Sequence, residues 1–423
     1  MSEGGISRRT LLTVALAIVL AATVAVQAGL LIRHQGAFYP DGDTPVGSDL
    51  LVFYSAGRIV ADGDGARLYD PKRQLAEQIE VLGRDRGVAI FPYPAFVAAA
   101  YAALAGLSLA WAYVVATGAM LVCTLSAIWM LRGVSPTVRD QPALVALAML
   151  ASQPFNMALF GGQTVAFTLL CLTGVFYGLR REEDNSAGVW LGLLSYKPQM
   201  GVVLALLLLM QGRWRTLAIA GVVAMALVGV GVLAAGPAWP KSFLDMIFSD
   251  YYRSNAIIAD GIRALSLPGV TRHLVGTAWA SAATAMLCLG MLLLLAKSGR
   301  DARFDDDRFP LQFGAAVVAT LLVSPHALFY EAGLLVLPLI FLADHWRAQS
   351  QATGAIEDLS HRQLLTLTCL ATFGAARPLL LSVVPFEPLV VAPIAVGLPL
   401  WAELRPDRSS PVLGQAQRPP PSR

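Results

Sequence analysis

Asp49, Gln163, Lys197, His326 and Glu331 each stand in or beside a run of membrane-grade hydrophobic residues. Ionisable groups in such surroundings are costly to keep, so they are the first functional candidates. Between them they supply a carboxylate to accept a proton, cations to meet an anionic leaving group, and an amide to bind a hydroxyl. Asp49 heads an amphipathic stretch in which Leu50, Phe53, Tyr54 and Gly57 fall at helical spacing. Two compatible readings follow for it. It is either a helix cap accepting backbone N–H bonds, or a general base at the membrane surface whose pKa partial desolvation raises toward the working range.

The other candidates fall at connections between apolar segments. Gly161-Gly162-Gln163 opens a helix, Tyr196-Lys197-Pro198 joins two short ones, and Ser324-Pro325-His326 joins two more. Gln163 reads as a cap or as a hydrogen-bond partner for a sugar hydroxyl. Lys197 reads as a snorkelling anchor or as a phosphate contact, since a compact ammonium suits a lipid phosphate. His326, with Tyr330 and Glu331 close behind, reads as a structural residue or as one that handles a donor phosphate or a proton. A second polar stretch, Asp250 to Asn255 and Arg263 to Leu267, mixes aromatics with arginines. Tyr252, Arg253 and Arg263 there, with Glu331, are acceptor-side candidates, although interfacial aromatics are also ordinary anchors. No P-loop, GxGxxG, GxSxG or HExxH is present, and Asp305-Asp306-Asp307 lies among basic residues, so nothing supports nucleotide chemistry.

The elements that must position these residues are transmembrane helices. The 423 residues are 56 % hydrophobic and only 14 % charged, well below the roughly 25 % of soluble domains. Residues 11–32 carry no charge and are long enough to cross a hydrocarbon core of about 30 Å. Although Ser7-Arg8-Arg9 precedes it, the run is too long for a signal-peptide core and reads as an uncleaved first helix. Further spans are expected at about 109–131, 143–159, 163–179, 187–196, 198–211, 214–236, 275–296, 310–324, 327–343, 363–384 and 386–402, about twelve crossings in all.

Basic clusters at Arg8-Arg9, Arg132 to Arg139, Arg180-Arg181, Arg213 with Arg215, Lys297 to Arg308, and His345 to Arg362 then share one side, with both termini cytoplasmic. Pro92 to Leu107 is short and breaks this pattern if counted as a crossing, so it reads as a re-entrant or interfacial helix on the outer face. The long outer loops are 33–92 and 237–274, and residues 405–423 read as a disordered cytoplasmic tail. The small net charge of +3 fits membrane topology and not nucleic-acid binding. Cys123, Cys171, Cys288 and Cys369 all lie in apolar runs and offer no disulfide or metal spacing.

The ordered set Ser48-Asp49 through Tyr54, Gly65 to Asp70, Tyr93-Pro94, Gly162-Gln163, Lys197-Pro198 and Ser324-Pro325-His326 resembles glycosyltransferase family 87, the polyprenyl-phosphate-mannose-dependent enzymes of the GT-C superfamily. The resemblance implies an all-α polytopic GT-C fold over residues 1–404. It also implies transfer of a hexose, typically mannose, from a polyprenyl phosphate to a lipid or glycan acceptor outside the cytoplasmic membrane, with inversion and without a metal or other cofactor. By resemblance Asp49 deprotonates the acceptor, while Lys197 and His326, with Gln163, Arg58 and Tyr54, hold the donor phosphate and sugar. The sequence departs from the family at Arg263-Ala264-Leu265-Ser266-Leu267, where an Asn-x-Ser-like element is expected. The expected partners are the polyprenyl-linked sugar, the acceptor and the bilayer, with the chain acting as a monomer; an arabinofuranose donor is the variant on this theme. The competing classes are a transporter of lipid-linked sugars or small solutes, and a noncatalytic scaffold.

Overall fold

The computed structural model describes residues 8–33, 47–85, 87–254, 263–299, 308–353 and 387–404. Every named element among the described residues is helical, and the isolated bridge between Ala264 and Leu328 is the extended pairing found there. The expected span at 363–384, the Asp305 to Asp307 run, Cys369 and the tail after Arg405 lie outside the described residues.

Helix α1 (Arg8–Arg33) is followed by α2 (Ser48–Ala61) and α3 (Pro71–Leu82), which belong to the first long loop, and by the eight-residue α4 (Ala95–Ala102). At 1.5 Å per residue, α4 is far too short to cross a bilayer. Next come α5 (Leu109–Arg132), the short α6 (Pro136–Asp140), α7 (Pro142–Ala151), α8 (Gln153–Gly161), α9 (Val165–Arg180), α10 (Asp184–Leu193), α11 (Val202–Met210) and α12 (Trp214–Ala235). The second long loop holds α13 (Trp239–Ile247), α14 (Asp250–Tyr252) and α15 (Leu267–Leu274). The chain continues through α16 (Ala278–Gly299), α17 (Phe309–Val323), a 3₁₀ segment (Phe329–Leu335) that runs into α18 (Val336–Thr353), and α19 (Val391–Leu404).

Four helical stretches among the described residues are long and apolar enough to cross a membrane: Leu109–Arg132, Trp214–Ala235, Ala278–Leu295 and Phe329–Gln351. The pair α7 and α8, bent by 69°, makes a fifth if counted as one span. Apart from the 26-residue α1 and the expected span at 363–384, which lies outside the described residues, the other expected crossings are shorter helices, so a count of twelve is not established by length. Helices α5, α12 and α16 turn large apolar side chains outward, Trp129 at 70 % and Leu233 at 89 % exposure among them, as lipid-facing helices do. Helices α9 and α17 are instead buried along most of their length and form the core, with Phe176, Phe309, Phe313 and Phe341 packed ring against ring.

The expected single helix at 143–159 breaks at Ser152, whose ψ of 129° is extended. Pro154 lacks the N–H that would continue the ladder. The Leu150 carbonyl, which Pro154 leaves without its helical donor, accepts from Asn156 Nδ2 at 3.3 Å, while Ser152 N and Oγ both donate to Met149 O, at 3.1 and 2.8 Å.

The fold has two poles. At one, Arg347 pairs with Asp140, Arg213 with Asp184, and Gly133 lies against Tyr177, so the basic ends of α5, α9, α12 and α18 gather together. At the other, the N-terminus of α2 meets the C-terminus of α8, Gly65 lies on the backbone of Ala234, and Lys197 meets Glu331. The sequence candidates gather at this second pole.

Candidate active site

Asp49 occupies the first turn of α2, and the N-cap position itself belongs to Gly47, in the left-handed region at φ 67°. One carbonyl at the end of α8 fastens both this helix start and α5. Gly47 N donates to Phe160 O at 2.9 Å, and Tyr113 Oη on α5 donates to the same carbonyl at 3.1 Å. The carboxylate lies directly over Gly161, where a Cβ would come within 3.1 Å of Asp49 Oδ2. Gly162 is more constrained still. Its φ is +78°, and a Cβ there would meet Leu50 Cβ at 2.6 Å. The double glycine therefore lets the α2 backbone settle onto the α8–α9 turn. Gly162→Ala is expected to incur about 1–2 kcal/mol of left-handed strain together with a steric overlap. A thermal midpoint lowered by several degrees checks this.

Lys197 sits between two 3₁₀ turns, and Pro198 prevents them from joining as one helix. The adjacent Tyr196 plugs this connection into the first turn of α9: its hydroxyl lies 2.5 Å from Thr168 Oγ1 and donates to Thr164 O at 3.1 Å. Lys197, only 5 % exposed, forms an ion pair with Glu331, which is 2 % exposed. The ammonium also lies 5.9 Å from the centre of the Tyr330 ring. Glu331 has a second duty, accepting the Leu328 N–H at 3.2 Å and so shaping the turn after His326. The structure thus sets Glu331, expected on the acceptor side, against Lys197.

Asp49 lies within electrostatic reach of Lys197, and Lys197 within reach of His326. Tyr93 is buried in the neighbourhood of Glu331, Asp49 and Tyr252. Tyr93 stands in the motif set that carries the family resemblance, but nothing in the sequence points to a role for it at the site. The glutamines of α3 hold it in place: Gln74 Oε1 accepts from Phe91 N at 3.0 Å, while Gln78 accepts from Ala89 N and donates to Ala89 O. These side chains act as a strand partner for residues 89–91, keep the segment extended, and deliver Tyr93 to the site. Gln163, 5 % exposed, lies beside Gly162, and its buried Oε1 has no hydrogen-bond partner. An unsatisfied buried amide oxygen is costly and suits a ligand hydroxyl.

His326 lies in the connection between α17 and the 3₁₀ segment. Its neighbour Ala327 accepts a hydrogen bond from Leu265 N at 2.7 Å, which pins the second long loop to this connection. Burial, and then the charges of Lys197 and Arg272, push the imidazole down to about 4 from the ordinary 6.5. His326 is therefore neutral at pH 7, and it can donate or accept a hydrogen bond without adding charge. A group whose proton affinity falls on folding binds protons more readily in the unfolded chain. Stability is therefore complete above about pH 6.5 and declines as pH falls toward about 4. Thermal midpoints measured across this window should fall more steeply for the wild type than for His326→Gln.

The remaining sequence candidates are placed elsewhere. Tyr54 is buried and its hydroxyl donates to Leu107 O at 2.6 Å. Arg58 faces α3, paired with Glu77 at 2.5 Å and with Glu80. Glu77 has no exposed side-chain surface and is also held by Arg73 at 2.7 Å. Both Tyr54 and Arg58 thus fasten α2 in place and do not join the group around Lys197. Arg253 is exposed and bonds Asp250, and Arg263 is exposed as well. Tyr252 alone of the second-loop candidates is buried toward Tyr93.

Asp49, the Lys197–Glu331 ion pair, the neutral imidazole of His326 and the unpartnered amide oxygen of Gln163 thus gather at the ends of apolar helices. The model of glycosyltransferase family 87 matches residues 91–325. This chain belongs to glycosyltransferase family 87. The match covers more than half of the chain, taking in Tyr93, Gln163, Lys197 and Tyr252, while Asp49, His326 and Glu331 lie outside it. No curated protein and no solved structure shows a match.

Proposed function

We propose that this family 87 glycosyltransferase moves a hexose, mannose in the first instance, from a polyprenyl phosphate to an acceptor on the outer face of the cytoplasmic membrane. The observation that carries the reading is the placement of Asp49 over Gly161 within electrostatic reach of Lys197. A polyprenyl phosphate is an activated leaving group, so the reaction needs one base for the nucleophile and a cation for the departing charge. Asp49 takes the proton of the acceptor hydroxyl as its oxygen forms the bond to the anomeric carbon. The bond from that carbon to the phosphate oxygen breaks with its electron pair, which stays on the polyprenyl phosphate. Lys197 meets that charge, because an ammonium has three donors and the contact with Glu331 leaves some for phosphate. A single displacement of this kind inverts the anomeric centre and needs no second carboxylate nucleophile, metal or other cofactor.

The basic pole supports a cytoplasmic placement of Arg132 to Arg139, Arg180, Arg213 and Arg347, which puts the opposite pole outside. The same orientation supports a GT-C arrangement of about twelve crossings with both termini cytoplasmic, in which short helices such as α10 and α11 enclose a groove for the prenyl tail. A transporter would be expected to carry its polar groups near the midplane, at interruptions of its helices. Here the break at Ser152 carries none of the candidates, which sit at helix ends. The test is incubation of the purified protein with radiolabelled polyprenyl-phosphate mannose and membrane lipid extract. A labelled glycosidic product supports the reading, and recovery of intact donor alone refutes it.

A further inference from the structure

We infer that helix α15 and the first turn of α16 form a binding site for an anionic phospholipid of the bilayer, with Arg272 and Arg263 at its headgroup and Leu274, Val275 and Trp279 along its acyl chains. The inference goes beyond the proposed transfer reaction, since this lipid is neither donor nor acceptor.

Height in the membrane is the first argument. The stretch Ala278–Leu295 is long and apolar enough to cross, and Met286, Leu287 and Leu293 on it are each more than half exposed. Trp279, 87 % exposed, stands in the first turn of that span, where an indole marks the headgroup level. Arg272 and His273, in the last turn of α15, precede the span by a few residues and are exposed. Leu274 and Val275, about half exposed, lie between them and the tryptophan. Cation, apolar patch, indole and lipid-facing helix thus follow one another in the order in which a phospholipid presents its headgroup and its acyl chains.

Charge decides the class of lipid. Residues 263–299 contain no aspartate or glutamate, and Arg263 and Arg272 are exposed and form no ion pair among the described residues. Other basic side chains of the two long loops are compensated locally: Arg67 by Asp70 at 3.2 Å, Lys241 by Asp245 at 2.6 Å and Arg253 by Asp250 at 2.9 Å. The pole in question lies opposite the basic helix ends, where uncompensated cations run against the usual asymmetry of membrane proteins. A phosphodiester with a net negative charge supplies the missing counter-ion, and its free oxygens match the fork of a guanidinium. A zwitterionic headgroup brings its own ammonium and cancels much of the attraction. A soluble anion would leave Leu274, Val275 and Trp279 uncovered.

The site is also held in shape. Ser266 Oγ accepts from Gly269 N at 3.4 Å at the start of α15, and Gly276, at φ +63°, closes its end by donating to Thr271 O at 3.3 Å. The hydroxyls of Thr271 and Thr284 lie 2.9 Å apart and fasten α15 to α16. At the other end of the segment Leu265 N donates to Ala327 O. A lipid seated on α15 therefore braces the second long loop against the connection that carries His326, and its loss should be felt as lower stability.

The experiment uses the full chain in nanodiscs of phosphatidylcholine with phosphatidylglycerol as the minor component, and native mass spectrometry counts the phospholipid that the protein retains on release. Wild type should enrich phosphatidylglycerol over its share of the bilayer, and Arg272→Gln should lose about fivefold of that enrichment, the usual worth of one basic side chain at an anionic surface. Arg263→Gln/Arg272→Gln should retain the two lipids in their bulk ratio. The thermal midpoint of wild type should be higher with phosphatidylglycerol than in phosphatidylcholine alone, and that difference should vanish in the double variant. If the double variant folds poorly, Arg272→Lys decides against Arg272→Gln, since it keeps the charge and should keep most of the enrichment. No enrichment by wild type, or equal enrichment by wild type and the glutamine variants, overturns the inference. Displacement of the retained lipid by polyprenyl phosphate or by inorganic phosphate also overturns it, because the arginines then serve the donor or a soluble anion. No readout here is transfer activity, so a failure of the transfer reading shows separately, as enrichment without glycosidic product.

Discussion

Asp49→Asn is expected to lower glycosyl transfer by about 10²–10⁴-fold, the usual worth of a positioned general base, while leaving donor affinity within a few-fold of wild type. The amide keeps the size of the carboxylate over Gly161 but cannot take the acceptor proton. Because the donor phosphate is assigned to Lys197, its binding should persist. Initial rates with radiolabelled donor, paired with binding of a non-transferable donor analogue, separate the two effects. Equal loss of rate and binding would mean that Asp49 shapes the site instead of reacting in it. Gly161→Ala is the companion variant. Its added methyl, 3.1 Å from Asp49 Oδ2, should cost rate by displacing the base although no reacting group has been removed.

The second large effect concerns the ion pair of Lys197 with Glu331. Both side chains are almost fully enclosed, so removing one leaves the other charge without its counter-ion in a place water reaches poorly. Lys197→Ala and Glu331→Ala should each lower stability by about 3–5 kcal/mol. Lys197→Leu/Glu331→Leu should recover most of that loss, because two apolar groups need no solvation. Activity distinguishes a structural pair from a functional one. If Lys197 meets the leaving phosphate, the double variant is well folded and inactive. Thermal midpoints in detergent and transfer rates on the same samples give both readouts. A double variant as active as wild type would relieve Lys197 of its proposed part.

Much of this organisation was legible because lipid imposes strong rules on sequence. Charge-free stretches marked α1, α5, α12 and α16 to within a few residues, and the arginines at their ends marked one pole. The site was legible as an ordered set of interruptions, Asp49, Gly162-Gln163, Lys197-Pro198 and Ser324-Pro325-His326, and the fold brings those four together. What escaped was long-range. Arg58 looked like a phosphate ligand because its partner Glu77 lies on the following helix, and charge alone does not show which charges meet. Tyr54 likewise has its hydroxyl occupied by a carbonyl beyond α4. Glu331 was visible as a residue, but its pairing with Lys197 joins segments far apart in the chain. Tyr93 depends on the α3 glutamines, whose hydrogen bonds to residues 89–91 follow no local spacing rule. The break at Ser152 had its signal in Pro154, which was masked by the continuous hydrophobicity around it.

The most direct test of the account is a structure of the full chain in nanodiscs with a non-transferable polyprenyl-phosphate mannose analogue. It should place a phosphate oxygen at hydrogen-bond distance from Lys197 Nζ, near His326, with the anomeric carbon facing Asp49 above Gly161. A phosphate bound instead at the opposite pole, among Arg132, Arg180 and Arg213, would contradict it.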